Sequence, residues 1–193
     1  MRNELRKVIE FWDTFVRKEH KTLLPRESYF HKVSDKHALV YLGVRRSGKT
    51  VITYANAVSH SKRVFYMNFE DPFFVTHSNL EVLELLIEVY IELHGQEPLL
   101  LAWDEIQNIP NWERWIRKTI DTHRYQLILT GSSAKLLSSE IATSLTGRTI
   151  LRVVWPLSFS EFLRFHRYVP GMPFSFSATT LPFESQGSSE RSL

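Results

Sequence analysis

Gly43-Val44-Arg45-Arg46-Ser47-Gly48-Lys49-Thr50 constrains this chain more than any other stretch. An apolar run, Ala38 to Leu42, precedes it, and a segment able to form helix, Thr50 to Val58, follows. Strand, glycine-bounded loop and helix, in that order, are what a phosphate-binding loop requires. The glycines let the backbone bend so that successive N–H groups face inward at an anion. The following helix turns its positive dipole end to the same anion. Lys49 can reach the β- and γ-phosphates of a nucleotide, and the Thr50 hydroxyl can coordinate Mg²⁺. The plain alternative is a glycine-containing turn that happens to precede a helix, and the placement between strand and helix argues against it.

The 193 residues suit one α/β domain with a proper core. A net charge of +3 is mild and does not by itself call for nucleic acid. Arg45, Arg46, Lys49 and Arg63 nevertheless make the surroundings of the loop basic. The absence of cysteine excludes disulfides and thiolate metal sites. The eight histidines are scattered without metal-ligand spacing. The charged N-terminus has no signal-peptide core and no apolar run reaches the length of a membrane span, so a cytoplasmic protein without membrane contact is expected.

Between Glu4 and Glu19, Leu5, Val8, Ile9, Trp12, Phe15 and Val16 recur at spacings of three and four, one face of a core-packing amphipathic helix. Lys21 to Lys36 reads as a connector, which closes an N-terminal region of residues 1–37. Strands follow at Ala38–Leu42, Arg63–Phe69, Leu99–Trp103, Gln126–Thr130 and Thr149–Trp155. Helices are expected over Leu80–Leu93, Trp112–Ile120, Lys135–Leu145 and Ser158–His166. Strands alternating with helices make a doubly wound five-stranded parallel sheet that binds ligands at its carboxyl ends. The domain that carries the phosphate-binding loop is expected to span residues 38–168, and from Val169 the periodicity fails in what reads as an irregular, disordered tail.

Asp104 and Glu105 stand where the third strand runs out, level with the loop. The first carboxylate can complete an Mg²⁺ site with Thr50, and the second can polarise water for attack on a γ-phosphate. An acidic pair at a solvated turn is the bland alternative. Additional-strand ATPases carry such a glutamate, whereas GTPases and small-molecule kinases usually do not. No Asn-Lys-x-Asp run for guanine is present, so ATP is the expected nucleotide. Thr130 and Ser132 end the fourth strand, where a hydroxyl can bond the γ-phosphate or the attacking water, or simply cap the next helix.

The runs GVRRSGKT, NFEDP, LLLAWDEIQNIPNWERW, LILTGSSAKLLSSEIATSLTGR and WPLSFSEFL, in this order, closely resemble a family of prokaryotic AAA-type P-loop ATPases. The resemblance covers about Ala38 to Leu163, with looser similarity upstream through Leu24-Pro25-Arg26-Glu27. It implies an ATP-binding domain with strand order 5-1-4-3-2. By matching positions, Gly43 to Thr50 form Walker A, Asp104 and Glu105 Walker B, and Thr130 a sensor. Four further residues fall within the family's motifs with alternatives open. Gln107 would orient the attacking water or signal nucleotide state, or merely start the next helix. Glu70 and Asp71 would support the metal or serve a turn. Arg148 would stabilise transition-state charge, from a neighbouring subunit, or be a surface arginine after a glycine. Family members usually continue for about as many residues again, into a second domain, whereas here the sequence ends soon after PLSFSEFL.

The expected function is Mg²⁺-dependent hydrolysis of ATP to ADP and phosphate, as a switch or motor coupled to a homo-oligomeric or protein partner, with nucleic-acid contact left open. The rival is a non-hydrolysing ATP-binding module or a truncated remnant of a longer ATPase.

Overall fold

Apolar runs of five residues, too short for helices and bounded by loops, become the strands of one parallel sheet. The computed structural model describes residues 1–21, 26, 31–131 and 145–165. The elements are α1 (Arg2–His20), β1 (Ala38–Leu42), α2 (Lys49–His60), β2 (Val64–Asn68), α3 (Phe73–Thr76), α4 (Glu81–His94), β3 (Leu100–Asp104), a 3₁₀ turn (Ile106–Asn108), α5 (Trp112–Asp121), β4 (Gln126–Thr130), β5 (Thr149–Val153) and α6 (Phe159–Phe165). The sheet order is β2-β3-β4-β1-β5, which is the expected 5-1-4-3-2 read from the other edge. The helix expected over Lys135–Leu145 lies outside the described residues except for Leu145, which is buried in a turn. Ser132 and the tail from Val169 also lie outside them.

The three central strands are apolar on both faces because both faces are covered. One face carries Val40, Leu101, Trp103, Leu127 and Leu129 against α4 and α5. The other carries Leu39, Tyr41, Ala102 and Ile128 against α2. The stripe on α1 buries Leu5, Ile9 and Val16, with Val8, Trp12 and Phe15 half-buried, so it is core as expected. This helix packs against edge strand β2 and against α4.

The register decides what the site can contain. β4 lies between β1 and β3, pairing Tyr41 with Thr130 on one side and Trp103 with Leu129 on the other. The ends of β1, β3 and β4 therefore stand side by side. Trp103 is wholly buried, its ring 5.5 Å from that of Phe69 and 4.8 Å from that of Trp115. Side chains alternate along a strand, so anchoring Trp103 on the α4–α5 face turns Asp104 to the α2 face.

Candidate nucleotide site

The loop after β1 closes tightly. A Cβ on Gly43 would stand 2.3 Å from the Val154 carbonyl oxygen, so only glycine fits where the chain passes the residue after β5. Gly48 takes φ 90°, a left-handed conformation that favours glycine, as it turns the chain into α2. Arg46 takes φ 65° without that freedom, a conformation costing about 1–2 kcal/mol in a residue with a Cβ. Val44, Arg45 and Arg46 are exposed, whereas Ser47 and Lys49 are buried.

Lys49 is 7% exposed, and its Nζ donates to the carbonyl oxygens of Gly43 at 3.1 Å and Val44 at 3.2 Å. The cation thus lies over the loop that would wrap a phosphate. Ser47 Oγ is buried without a hydrogen-bond partner. Such an orphaned polar atom costs stability unless something polar meets it, which suits a loop made for a polar ligand. A helix N-terminus, a buried lysine and an unmet hydroxyl together fit a phosphate group.

Asp104 is 0% exposed, and three side chains converge on it. Thr50 Oγ1 donates to its Oδ2 at 2.6 Å, and the Tyr66 hydroxyl donates to the same oxygen at 3.1 Å. Thr130 Oγ1 donates to its Oδ1. Burial pushes the Asp104 carboxyl above the usual carboxylate range, opposed by these three hydrogen bonds and reinforced by the nearby Glu105 charge. Burial, with Asp104 alongside, likewise pushes the Tyr66 hydroxyl well above its ordinary value. The 2.6 Å contact between Thr50 and Asp104 brings together the two side chains expected to hold Mg²⁺. Among the described residues no group of three His, Cys, Asp or Glu could form an all-protein cage. That donor set suits Mg²⁺, which keeps waters and phosphates as most of its ligands.

Glu105 is half-buried with φ 56°. Its N–H donates to Thr130 Oγ1 at 3.1 Å, so Thr130 bridges both acidic residues. The Glu105 carboxylate accepts from Nε2 of Gln107, which is the middle residue of the 3₁₀ turn rather than its first. Asp71 accepts from the Phe73 N–H and from Trp12 Nε1, each at 2.9 Å, which gives it the turn-and-anchor role. Glu70 is exposed on a cleft of about 580 Å³, which Arg45 and Asn108 also line.

Arg148 stands apart. Its carbonyl accepts from the N–H of Ala38, the first residue of β1, whereas the phosphate loop follows the last. Five strand residues at about 3.3 Å each separate it from its own loop. Its Nε donates to Asp121 Oδ1 at 2.7 Å at the end of α5, in a half-exposed ion pair.

Two groups were not read as functional from the sequence. Tyr66 reaches Asp104 from the neighbouring strand and hid within an apolar run. Arg26 and Glu161 form a buried ion pair against the loop, joining residues 135 positions apart. Ser158-Phe159-Ser160-Glu161 carries the Ser-x-x-Glu signal of a helix start, which would have located the glutamate though not its partner.

The described helices include none long and apolar enough to cross a membrane. Comparison with known proteins matches residues 35–163, about two thirds of the chain, to the family model described as an AAA domain. An uncharacterized protein of Methanocaldococcus jannaschii is 36% identical over 147 residues, 76% of this chain and 32% of that protein. An uncharacterized protein of Haemophilus influenzae is 31% identical over 153 residues, 74% of this chain and 38% of that protein. The chain therefore spans about a third of the length of the curated relatives it matches. Among solved structures, AMPPCP-bound DnaA from Aquifex aeolicus aligns with 83% of this chain and 50% of its own, at 19% identity and a TM-score of 0.45. PCH-2 of C. elegans aligns with 79% of this chain and 42% of its own, at 20% identity and a TM-score of 0.44. The family match covers the loop, the acidic pair and all five strands: this chain belongs to the AAA domain family and is a nucleotide-binding domain of the prokaryotic AAA-type P-loop ATPase kind.

Proposed function

We propose that the domain binds ATP with Mg²⁺ and hydrolyses it to ADP and phosphate, with a second copy of the chain completing the site. The observation that carries this reading is the hydrogen-bonded chain Thr50–Asp104–Thr130–Glu105, buried at Asp104 and Thr130 and set beside Lys49 at the carboxyl ends of three adjacent strands. Mere binding needs Lys49 and the loop amides. A second carboxylate tied to a hydroxyl at the neighbouring strand end serves hydrolysis.

Each residue then has a task. Amides from Gly43 to Thr50 and the Lys49 ammonium hold the phosphates, replacing the contacts Lys49 makes with Gly43 and Val44. Thr50 and Asp104 would hold Mg²⁺, which neutralises phosphate charge when bound. Glu105 accepts the proton of the attacking water once its carboxylate leaves Gln107. Thr130, already bonded to Asp104 and Glu105, fixes their relative positions and reports on the γ-phosphate. Arg148 faces away from its own loop and would act on a neighbour's γ-phosphate, where an arginine supplied in trans raises rates by about three to five orders of magnitude.

The specific observation favouring the non-hydrolysing switch is the Gln107 contact, which occupies the carboxylate that should activate water. Phosphate release from ATP by purified protein, with and without Mg²⁺ and across protein concentration, separates the readings. Hydrolysis predicts Mg²⁺-dependent release that rises per molecule with concentration. ATP binding without release supports the switch.

A further inference from the structure

The Arg26 guanidinium is a cation buried beside the phosphate loop that none of these steps uses. Its side chain is 6% exposed and that of Glu161 is 4%. Nε donates to Glu161 Oε1 at 3.0 Å and Nη2 to Oε2 at 2.9 Å, a two-pronged pair. Nη2 also meets the carbonyl oxygens of Trp155 at 3.0 Å and Pro156 at 3.2 Å, beyond β5. Nη1 donates to the carbonyl oxygen of Ser47 at 2.8 Å, inside the phosphate loop. Glu161 is fixed in turn by the start of α6. Its Oε2 accepts from the Ser158 N–H at 2.9 Å, and its own N–H donates to Ser158 Oγ at 3.2 Å. This reciprocal capping box means that Glu161 cannot move without α6 fraying at its first turn.

The Ser47 contact bears on nucleotide because a peptide unit is rigid. No peptide bond among the described residues is cis, and a trans peptide points its N–H opposite to its C=O. Fastening the Ser47 carbonyl outward, to Arg26, therefore turns the Gly48 N–H inward, to where the loop wraps an anion. Gly48 is the residue least able to hold that plane by itself, since glycine at φ 90° has many other conformations open to it. Glu161 neutralises Arg26, so the guanidinium acts on the loop through orientation rather than through net charge.

Resting on the ATP-binding reading, we propose that Arg26 is a positioning residue for the phosphate loop, and that the Arg26–Glu161 pair ties the loop's geometry to the seating of α6. Displacing α6 then loosens the Gly48 amide and weakens nucleotide binding. A bound nucleotide, by the reciprocity of linked equilibria, holds α6 in place.

The test uses the full chain with Mg-ATP titrated calorimetrically, and hydrogen exchange over residues 43–50 measured without nucleotide. Arg26→Gln alone strands Glu161 in a buried site and endangers folding, so the decisive variant is Arg26→Met with Glu161→Met. Removing both charges of a buried pair together is often neutral for stability. The double variant should stay folded, with no more than the modest fall in melting temperature that one lost helix-cap contact brings, exchange faster at 43–50 and bind ATP about tenfold more weakly. Arg26→Lys, which keeps the charge but not the fork, should fall between. Faster exchange in the double variant supports the clamp even if wild type binds no ATP, a result that would overturn only the nucleotide reading. Unchanged exchange and unchanged ATP affinity in a folded double variant would show that the pair merely supports the fold, and the proposal fails.

Discussion

Asp104 and Arg148 are both charged residues singled out by their motifs, and they stand at opposite ends of one sheet. At the carboxyl end Asp104 is 0% exposed and gathers hydroxyls from α2, β2 and β4. At the amino end Arg148 is 37% exposed and pairs with Asp121, itself 48% exposed. The difference follows from parallel topology. Every strand enters at one end and delivers its next residue at the other, so groups that follow strands converge and groups that precede them face away. A binding site can be built within one chain at the first end, whereas a cation at the second stands away from that chain's own phosphate loop.

The strongest way to break this division is Arg148→Ala. With protein at tens of micromolar, turnover should fall about a thousandfold or more, as for a lost arginine finger, while ATP affinity stays unchanged. Mixing this variant with Glu105→Gln, each inactive alone, should restore part of the activity through shared sites. Equal turnover in Arg148→Ala and wild type would leave the arginine as a surface partner of Asp121 and nothing more.

Glu105→Gln probes the carboxyl end itself. It retains the shape and the backbone bond to Thr130 but loses the proton acceptor, so hydrolysis should slow about a hundredfold with Mg-ATP binding kept. Equal single-turnover rates would remove Glu105 as the base.

Stability sharpens the same contrast. In Asp104→Asn the side-chain NH₂ faces hydroxyls that were donating to a carboxylate, a mismatch costing about 1–3 kcal/mol in urea denaturation. Asp121→Asn, at the exposed end, should leave the midpoint where it is. A larger loss from Asp121 than from Asp104 would reverse the assignment of which end is built.

The sequence revealed the carboxyl end well because its signals are local. Gln126–Thr130 was placed to the residue, and Leu100–Asp104 to within one. Asp104 could be set beside Thr50 because each directly follows or ends a buried strand or loop of fixed length. What escaped depends on pairing between distant segments. Tyr66 looks like any β-strand tyrosine until register places it two residues short of Asp104 on the adjacent strand. Arg26 sits in a polar connector with no periodicity, and its importance arises from Glu161 on the far side of the chain. The Trp12–Asp71 bond, which gave Asp71 an anchoring role, likewise spans 59 positions that no motif links.

Everything at the carboxyl end rests on the loop holding phosphate, and Lys49 is the side chain that commits it. Its removal leaves no buried carboxylate unpaired, because Lys49 donates only to the Gly43 and Val44 carbonyls in the bonds described. Calorimetric titration of Mg-ATP into wild type and Lys49→Ala, with melting curves alongside, tests the claim most directly. Saturable binding to wild type and binding lost or gravely weakened in a variant that melts like wild type is the predicted result. A folded Lys49→Ala protein with wild-type affinity for Mg-ATP would contradict it.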